Sequence, residues 1–196
     1  ALQRDADDHR CPRSPLDRRR LGLLSRESHA PRLARAARAV HQPARRAAVT
    51  SERRMKALDA YEASCDGKPT VEGALHAFLD TDLDLYIEGG EGWRNYGALS
   101  AQVANTPEWG AKMMDEHFDP VVLRLIDLLQ KALPHASKED LFWGYHFVSG
   151  SLMLTLARTG RIDKLSGGAC KSEDYAAVKS RMAHFMAAGF REICGG

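Results

Sequence analysis

No run of about 18 apolar residues occurs in the 196-residue chain, so no membrane-spanning helix is expected. The amino end carries no apolar stretch with a cleavage-like flank, which removes a signal peptide. The two absences together point to a soluble, cytoplasmic protein. Cysteine is sparse: Cys11, Cys65, Cys170 and Cys194 are scattered and form no Cys-x-x-Cys pair. That argues against a zinc site or a disulfide framework, and the four read as reduced thiols. A Gly-rich phosphate loop, a Ser/His/Asp context and a His-Glu-x-x-His helix are also missing. Asp115 and Glu116 beside His117 read as a solvated helix face, so no catalytic residue, metal or cofactor is expected and the chain does not read as an enzyme.

The absences are also uneven along the chain. Residues 1–54 contain no Lys, Ile, Met or aromatic residue but 14 Arg, whereas all eight Lys and all 14 aromatics fall after them. Against six acids the first part carries +8, and the remainder −6, a division hidden by the overall +2. Beyond Val40, Val49 and Thr50 the first segment has nothing large or branched to bury beside its leucines. It therefore cannot offset the entropy of ordering its backbone, and residues 1–50 are expected to be poorly ordered or marginally helical. A basic arm of this kind attracts nucleic acid through phosphate neutralisation, without sequence preference and with strong salt dependence. The other reading is a solvated tail with no partner.

From Ser51 onward the apolar residues recur at helical spacing and no alternating run stands out, so the class is all-α. Thr70 caps a helix carrying Val71, Leu75, Phe78, Leu79 and Tyr86, interrupted by Asp82 and ended by Gly89-Gly90. Thr106-Pro107 and Asp119-Pro120 each read as a capping residue before a proline at the first helical position. The second opens an amphipathic helix with Val122, Leu125, Ile126, Leu129 and Leu133 inward and Arg124, Asp127 and Lys131 outward, stopped by Pro134. Ser137 to Asp140 resembles a capping box.

The helix after Ser137 is apolar all round, so it must be covered on all sides, either at the centre of a large bundle or shared between its own domain and a second subunit. Gly144, Ser149, Gly150 and Ser151 are small enough to let a partner helix approach closely. Ser172 is expected to cap a last helix with Tyr175, Val178, Met182, Phe185, Met186, Gly189 and Phe190 on one side. Two such helices predict a homodimer built as a four-helix bundle. Its contacts are expected from Trp143, Phe147, Gly150, Leu154, Met182, Phe185, Met186 and Gly189.

Asp80, Asp82, Asp84 and Glu91 occupy the first, third, fifth and twelfth places of a calcium-loop pattern, with Ile87 at the eighth. Leu85 stands where that loop needs glycine, and no second loop is present to pair with it. A helix end is the plainer reading, with a calcium-binding module as the alternative.

Three stretches carry a resemblance. They are Ala132-Leu133-Pro134-His135-Ala136-Ser137-Lys138-Glu139-Asp140-Leu141-Phe142-Trp143-Gly144-Tyr145-His146-Phe147 with Gly150 after it, His184-Phe185-Met186-Ala187-Ala188-Gly189-Phe190, and Ser51 to Ala63. Residues 51–196 resemble the carboxy-terminal half of a TetR-type transcriptional repressor, and the first stretch is the most specific part. The resemblance implies a dimeric effector-binding domain that responds to a small hydrophobic ligand and acts on operator DNA. It also implies that Trp93, Tyr96, Trp109, Met113, Met114 and Phe118 lie on helices around the effector cavity, where aromatics and Met suit an adaptable apolar site. His146 is the candidate polar group for the ligand or for the dimer interface. No helix-turn-helix is legible in residues 1–50. Read one nucleotide later, the codons of Pro31 to Ala37 permit Leu-Gly-Ser-Arg-Glu-Leu-Leu, so an out-of-frame origin for this segment is an expectation that sequencing of the locus tests.

Overall fold

A computed structural model describes residues 29–104, 106 and 114–195, with the backbone alone for 29–42. The described residues form helices and turns, as the periodicity predicted. Helix α1 is His29–Ser64, α2 Val71–Glu88, α3 Gly90–Ala104, α4 Asp119–Ala132, α5 Lys138–Leu156, α6 Arg161–Leu165 and α7 Tyr175–Ile193. A π-helical turn, Met114–Phe118, leads directly into α4. Contacts divide the chain into a unit ending at Arg38 and a unit Ala39–Gly196. Of the first, only helical backbone from His29 is described. Residues 1–28 of the arginine-rich segment lie outside the described residues.

Helix α1 runs through the compositional boundary at residue 50. Alanine and arginine are among the best helix formers, so a segment too polar to build a core is still a good helix once one end is packed. In the larger unit that end is packed: Ala47 and Leu58 are fully buried, with Thr50 and Arg54 between them. A turn with Asp66 at φ 47° and Gly67 at φ 73° closes the helix.

The Thr70 side chain accepts from the Gly73 amide at 3.1 Å, as the cap signal predicted. Helix α2 then places Leu75, Phe78, Leu79, Leu83 and Tyr86 in the core, against α3, α4 and α7. Fully burying one such side chain contributes roughly 1.5–3 kcal/mol, which makes α2 the axis of the fold. Ser137 accepts from the Asp140 amide at 3.0 Å, again as predicted.

Two helix starts differ from the sequence expectation. Asp119 is already the first residue of α4, and Phe118 occupies the cap position without a side-chain bond, because the preceding π turn delivers a helical backbone. The last helix is capped by Asp174, whose carboxylate accepts from the Ala177 amide at 2.9 Å. Ser172 is held in the loop instead, its amide donating to Asp163 at 2.8 Å. The Thr106-Pro107 start lies largely outside the described residues.

Helix α4 shows the amphipathic division expected of it. Val122, Leu125, Ile126, Leu129 and the C-capping Leu133 are buried. On the outer side Arg124 bonds Asp59 of α1 at 2.9 Å and Glu62, and Lys131 bonds Glu62 at 2.7 Å. Helix α7 crosses α2 and is tied to it by Lys179–Asp84 at 2.6 Å and His184–Glu72 at 3.3 Å.

Candidate functional site

Helices α1 to α5 and the π turn leave an internal cavity of about 40 Å³. Its lining has two characters. Phe78, Tyr86, Met114, Phe118, Leu152 and Met153 supply an apolar wall, while Thr50 and Arg54 from α1, Asp82 from α2, and Tyr96 and Ser100 from α3 supply a polar end.

The centre of the polar end is an ion pair. Arg54 Nη2 stands 2.6 Å from Asp82 Oδ2, with the two side chains only 5% and 4% exposed. Arg54 Nε donates to the Phe78 carbonyl at 3.1 Å, and its guanidinium lies 4.1 Å from the centre of the Phe78 ring. Taking two charges out of water costs several kcal/mol each, and their mutual attraction at this distance offsets part of that cost. Burial pushes the Asp82 carboxyl above its ordinary range, and the Arg54 charge pulls it back part of the way.

Around the pair, hydrogen-bonding capacity is left over. Asp82 Oδ1, Arg54 Nη2, Thr50 Oγ1, Tyr96 Oη and Ser100 Oγ are buried without an aligned hydrogen-bond partner. Burial raises the Tyr96 phenol, and hydrogen-bonding interaction with the Ser100 hydroxyl, and more weakly with that of Thr50, acts in the opposite sense. Tyr86 is raised further, by burial first and by the Asp82 charge second. Both phenols are therefore neutral hydroxyls at physiological pH.

The structure brings together only part of the sequence-expected ligand set. Tyr96 and Phe118 line the cavity, as does Met114. Trp93 stands behind it, edge-on to Tyr96 with ring centres 5.7 Å apart, and Arg46 of α1 covers its ring at 5.3 Å. His146 is exposed and faces away from the cavity, beside Trp143 at a ring separation of 5.6 Å, because Tyr145 rather than His146 takes the inward position on α5. Trp109 and Met113 lie outside the described residues. Thr50, Arg54, Asp82 and Ser100 were not expected. Asp82 had announced itself as the residue that breaks the apolar stripe of α2, but its partner stands on another helix.

The dimer candidates occupy the outer faces of α5 and α7. Trp143, Phe147, Leu154 and Phe185 are 53%, 54%, 66% and 73% exposed. Met182 and Met186 are half-buried beside them, and a Cβ built on Gly150 or Gly189 would meet nothing within 4 Å. Gly144 behaves differently from expectation: it is buried, and a Cβ there would overlap the Phe190 ring of the same chain. Its small size serves the packing of α5 on α7. Open grooves of about 330, 550 and 560 Å³ run along these faces, bordered by Leu154, Ile162, Phe185 and Met186. They are larger than the internal cavity but are surface furrows between exposed side chains.

The calcium-loop pattern does not form a loop. Asp80 to Glu88 are the last turns of α2, and Asp82 is committed to Arg54. Among the described residues no group of three His, Cys, Asp or Glu is placed to hold a metal ion, and no helix is long and apolar enough to cross a membrane. Among these residues Cys65, Cys170 and Cys194 are free thiols.

A family model described as the tetracyclin repressor-like C-terminal domain matches residues 76–189, more than half of the chain. No curated protein matches the chain.

Proposed function

The chain belongs to the tetracyclin repressor-like C-terminal domain family, and from that premise we propose that residues 51–196 are the effector-sensing and dimerising part of a TetR-type transcriptional repressor. A small hydrophobic ligand occupies the cavity of each subunit and lowers the affinity of the dimer for operator DNA. The observation that carries this reading is the cavity itself, lined by five helices and reaching α1 through Thr50 and Arg54. Drug-sized ligands occupy about 300 Å³ or more, so a cavity of about 40 Å³ must expand to take one. Expansion falls on the movable side chains Met114, Met153 and Phe118 and on the helices that carry them. Because α1 supplies part of the wall, an occupant shifts the population of α1 positions. In a cytoplasmic dimer this changes the spacing of the two amino-terminal ends. The role is regulatory rather than catalytic.

A homodimer through α5 and α7 follows from the exposed row Trp143, Phe147, Leu154 and Phe185, a contiguous apolar surface of the kind found at interfaces. Open space over Gly150 and Gly189 lets the partner helices approach closely. His146 belongs to this face rather than to the cavity. A second reading, a ligand-binding dimer whose basic arm holds nucleic acid without sequence preference, rests on the 14 Arg of residues 1–54.

The test is a titration of labelled DNA from the gene's own upstream region against scrambled DNA at near-physiological salt, with light scattering to count subunits. The repressor reading expects a dimer and selective binding. Equal, steeply salt-dependent binding to both DNAs favours the second reading. A monomer at micromolar concentration overturns the dimerisation common to both.

A further inference from the structure

We infer that the cavity takes an uncharged amphipathic molecule of the alcohol or phenol class, its hydroxyl seated among Asp82, Thr50, Tyr96 and Ser100 and its apolar body against the aromatic and methionine wall. This rests on the reading of the cavity as the effector site and adds the chemistry of the occupant.

The charge balance comes first. Among the described residues of the lining, Arg54 and Asp82 are the ionised side chains, and they are paired with each other at 2.6 Å. Arg54 is further engaged by the Phe78 carbonyl and by the Phe78 ring. A carboxylate head would have to displace Asp82 from Arg54, and an ammonium head would have to displace Arg54 from Asp82. Either exchange leaves one charge buried without its counter-ion, which costs more than the new pair returns. An uncharged head leaves the pair intact.

The hydrogen-bond balance comes second. Thr50, Asp82 and Tyr96 are 1%, 3% and 4% exposed, and each has a polar atom without an aligned partner, as does Ser100. The three hydroxyls can donate or accept, but the ionised Asp82 Oδ1 can only accept. An ether or ester head satisfies the hydroxyls and leaves that oxygen unpaired. A hydroxyl head does both, donating to Asp82 and accepting from Thr50, Ser100 or Tyr96. Hydrogen bonds to charged groups are the stronger kind, so this donor dominates the discrimination.

Calorimetric titration of the full chain at pH 7 with 4-propylphenol, 4-propylanisole, 4-propylbenzoate and 4-propylbenzylamine tests the assignment, since the four share one body and differ in the head. The phenol is expected to bind at least tenfold more tightly than its methyl ether, and both ions more weakly than the ether. The Thr50→Val/Ser100→Ala double variant, which removes two hydroxyls and keeps the ion pair, is expected to weaken phenol and ether alike and to leave the phenol's preference over the ether in place, because the acceptor on Asp82 remains. Equal affinity for phenol and ether, or an ion that binds best, overturns the head-group assignment while leaving the effector cavity standing. Absence of saturable binding by all four overturns the cavity reading as well.

Discussion

Replacing Arg54 by Met keeps most of the side chain's volume and removes its charge, leaving Asp82 buried and alone. Breaking a buried ion pair from one side costs about 3–5 kcal/mol. For a domain of this size that corresponds to roughly 6–20 °C in melting temperature, at about 2–4 °C per kcal/mol. The cost carries a pH signature. Burial already raises the folded-state pKa of Asp82, and Arg54 opposes the rise. A raised acid contributes stability that is full below its unfolded value of about 3.9 and is lost as pH rises through the folded value. Without Arg54 the folded value climbs further, so Arg54→Met is least stable relative to the native protein at neutral pH and recovers as pH falls. Urea melts of both proteins at pH 7, 6 and 5 read this difference, and every other titrating group cancels in the comparison. Arg54→Met/Asp82→Leu removes both charges and is expected to recover most of the loss at pH 7. A loss that does not change with pH, or a double variant whose cost is the sum of the two single ones, would falsify the account of the pair.

Gly144→Ala drives a methyl into the Phe190 ring and is expected to cost about 1–3 kcal/mol in thermal melts without changing the oligomer. Gly150→Ala meets nothing in its own chain and gains helix propensity, so it is expected to leave the subunit intact and weaken the dimer in light-scattering dilution series. The reverse pattern would exchange the roles assigned to the two glycines. Glu62 is held at about 2, below its ordinary 4.5, by hydrogen bonds from Arg124 and then Lys131. A lowered acid contributes stability above its unfolded value and loses it as pH falls toward the folded one. Arg124→Met should therefore flatten the acid side of the stability profile between about pH 4.5 and 2, measured by tryptophan fluorescence. An unchanged profile would mean that the α1–α4 contact is screened away.

The parts of the fold that were legible in the sequence are those whose signal is local. Thr70 and Ser137 announce their helices because a cap is satisfied within three residues, and α4 announces its buried face because the helical period repeats four times. Errors arose where two residues compete for one role. Ser172 and Asp174 are both good caps, and the choice falls to Asp174 because Asp163 takes the Ser172 amide. Phe118-Asp119-Pro120 reads as a fresh start, yet the π turn before it supplies a helix end to continue. The arginine-rich composition argues for few core-forming residues, but it says nothing against a helix, since alanine and arginine favour one.

The cavity was less legible because its polar end is assembled from different helices. An aspartate inside an apolar stripe is costly enough that a partner must exist, and this much could be argued from Val71 to Tyr86 alone. The partner could not be chosen, since the segment before α2 offers many arginines and only packing selects among them. Arg54 is selected because it follows Thr50 by one helical turn, and both point toward the side of α1 that meets Phe78 and Asp82. The same register places Arg53 on the exposed side. Among the described arginines of α1, Arg45, Arg46, Arg53 and Arg54, it is Arg54 whose guanidinium is committed to the interior.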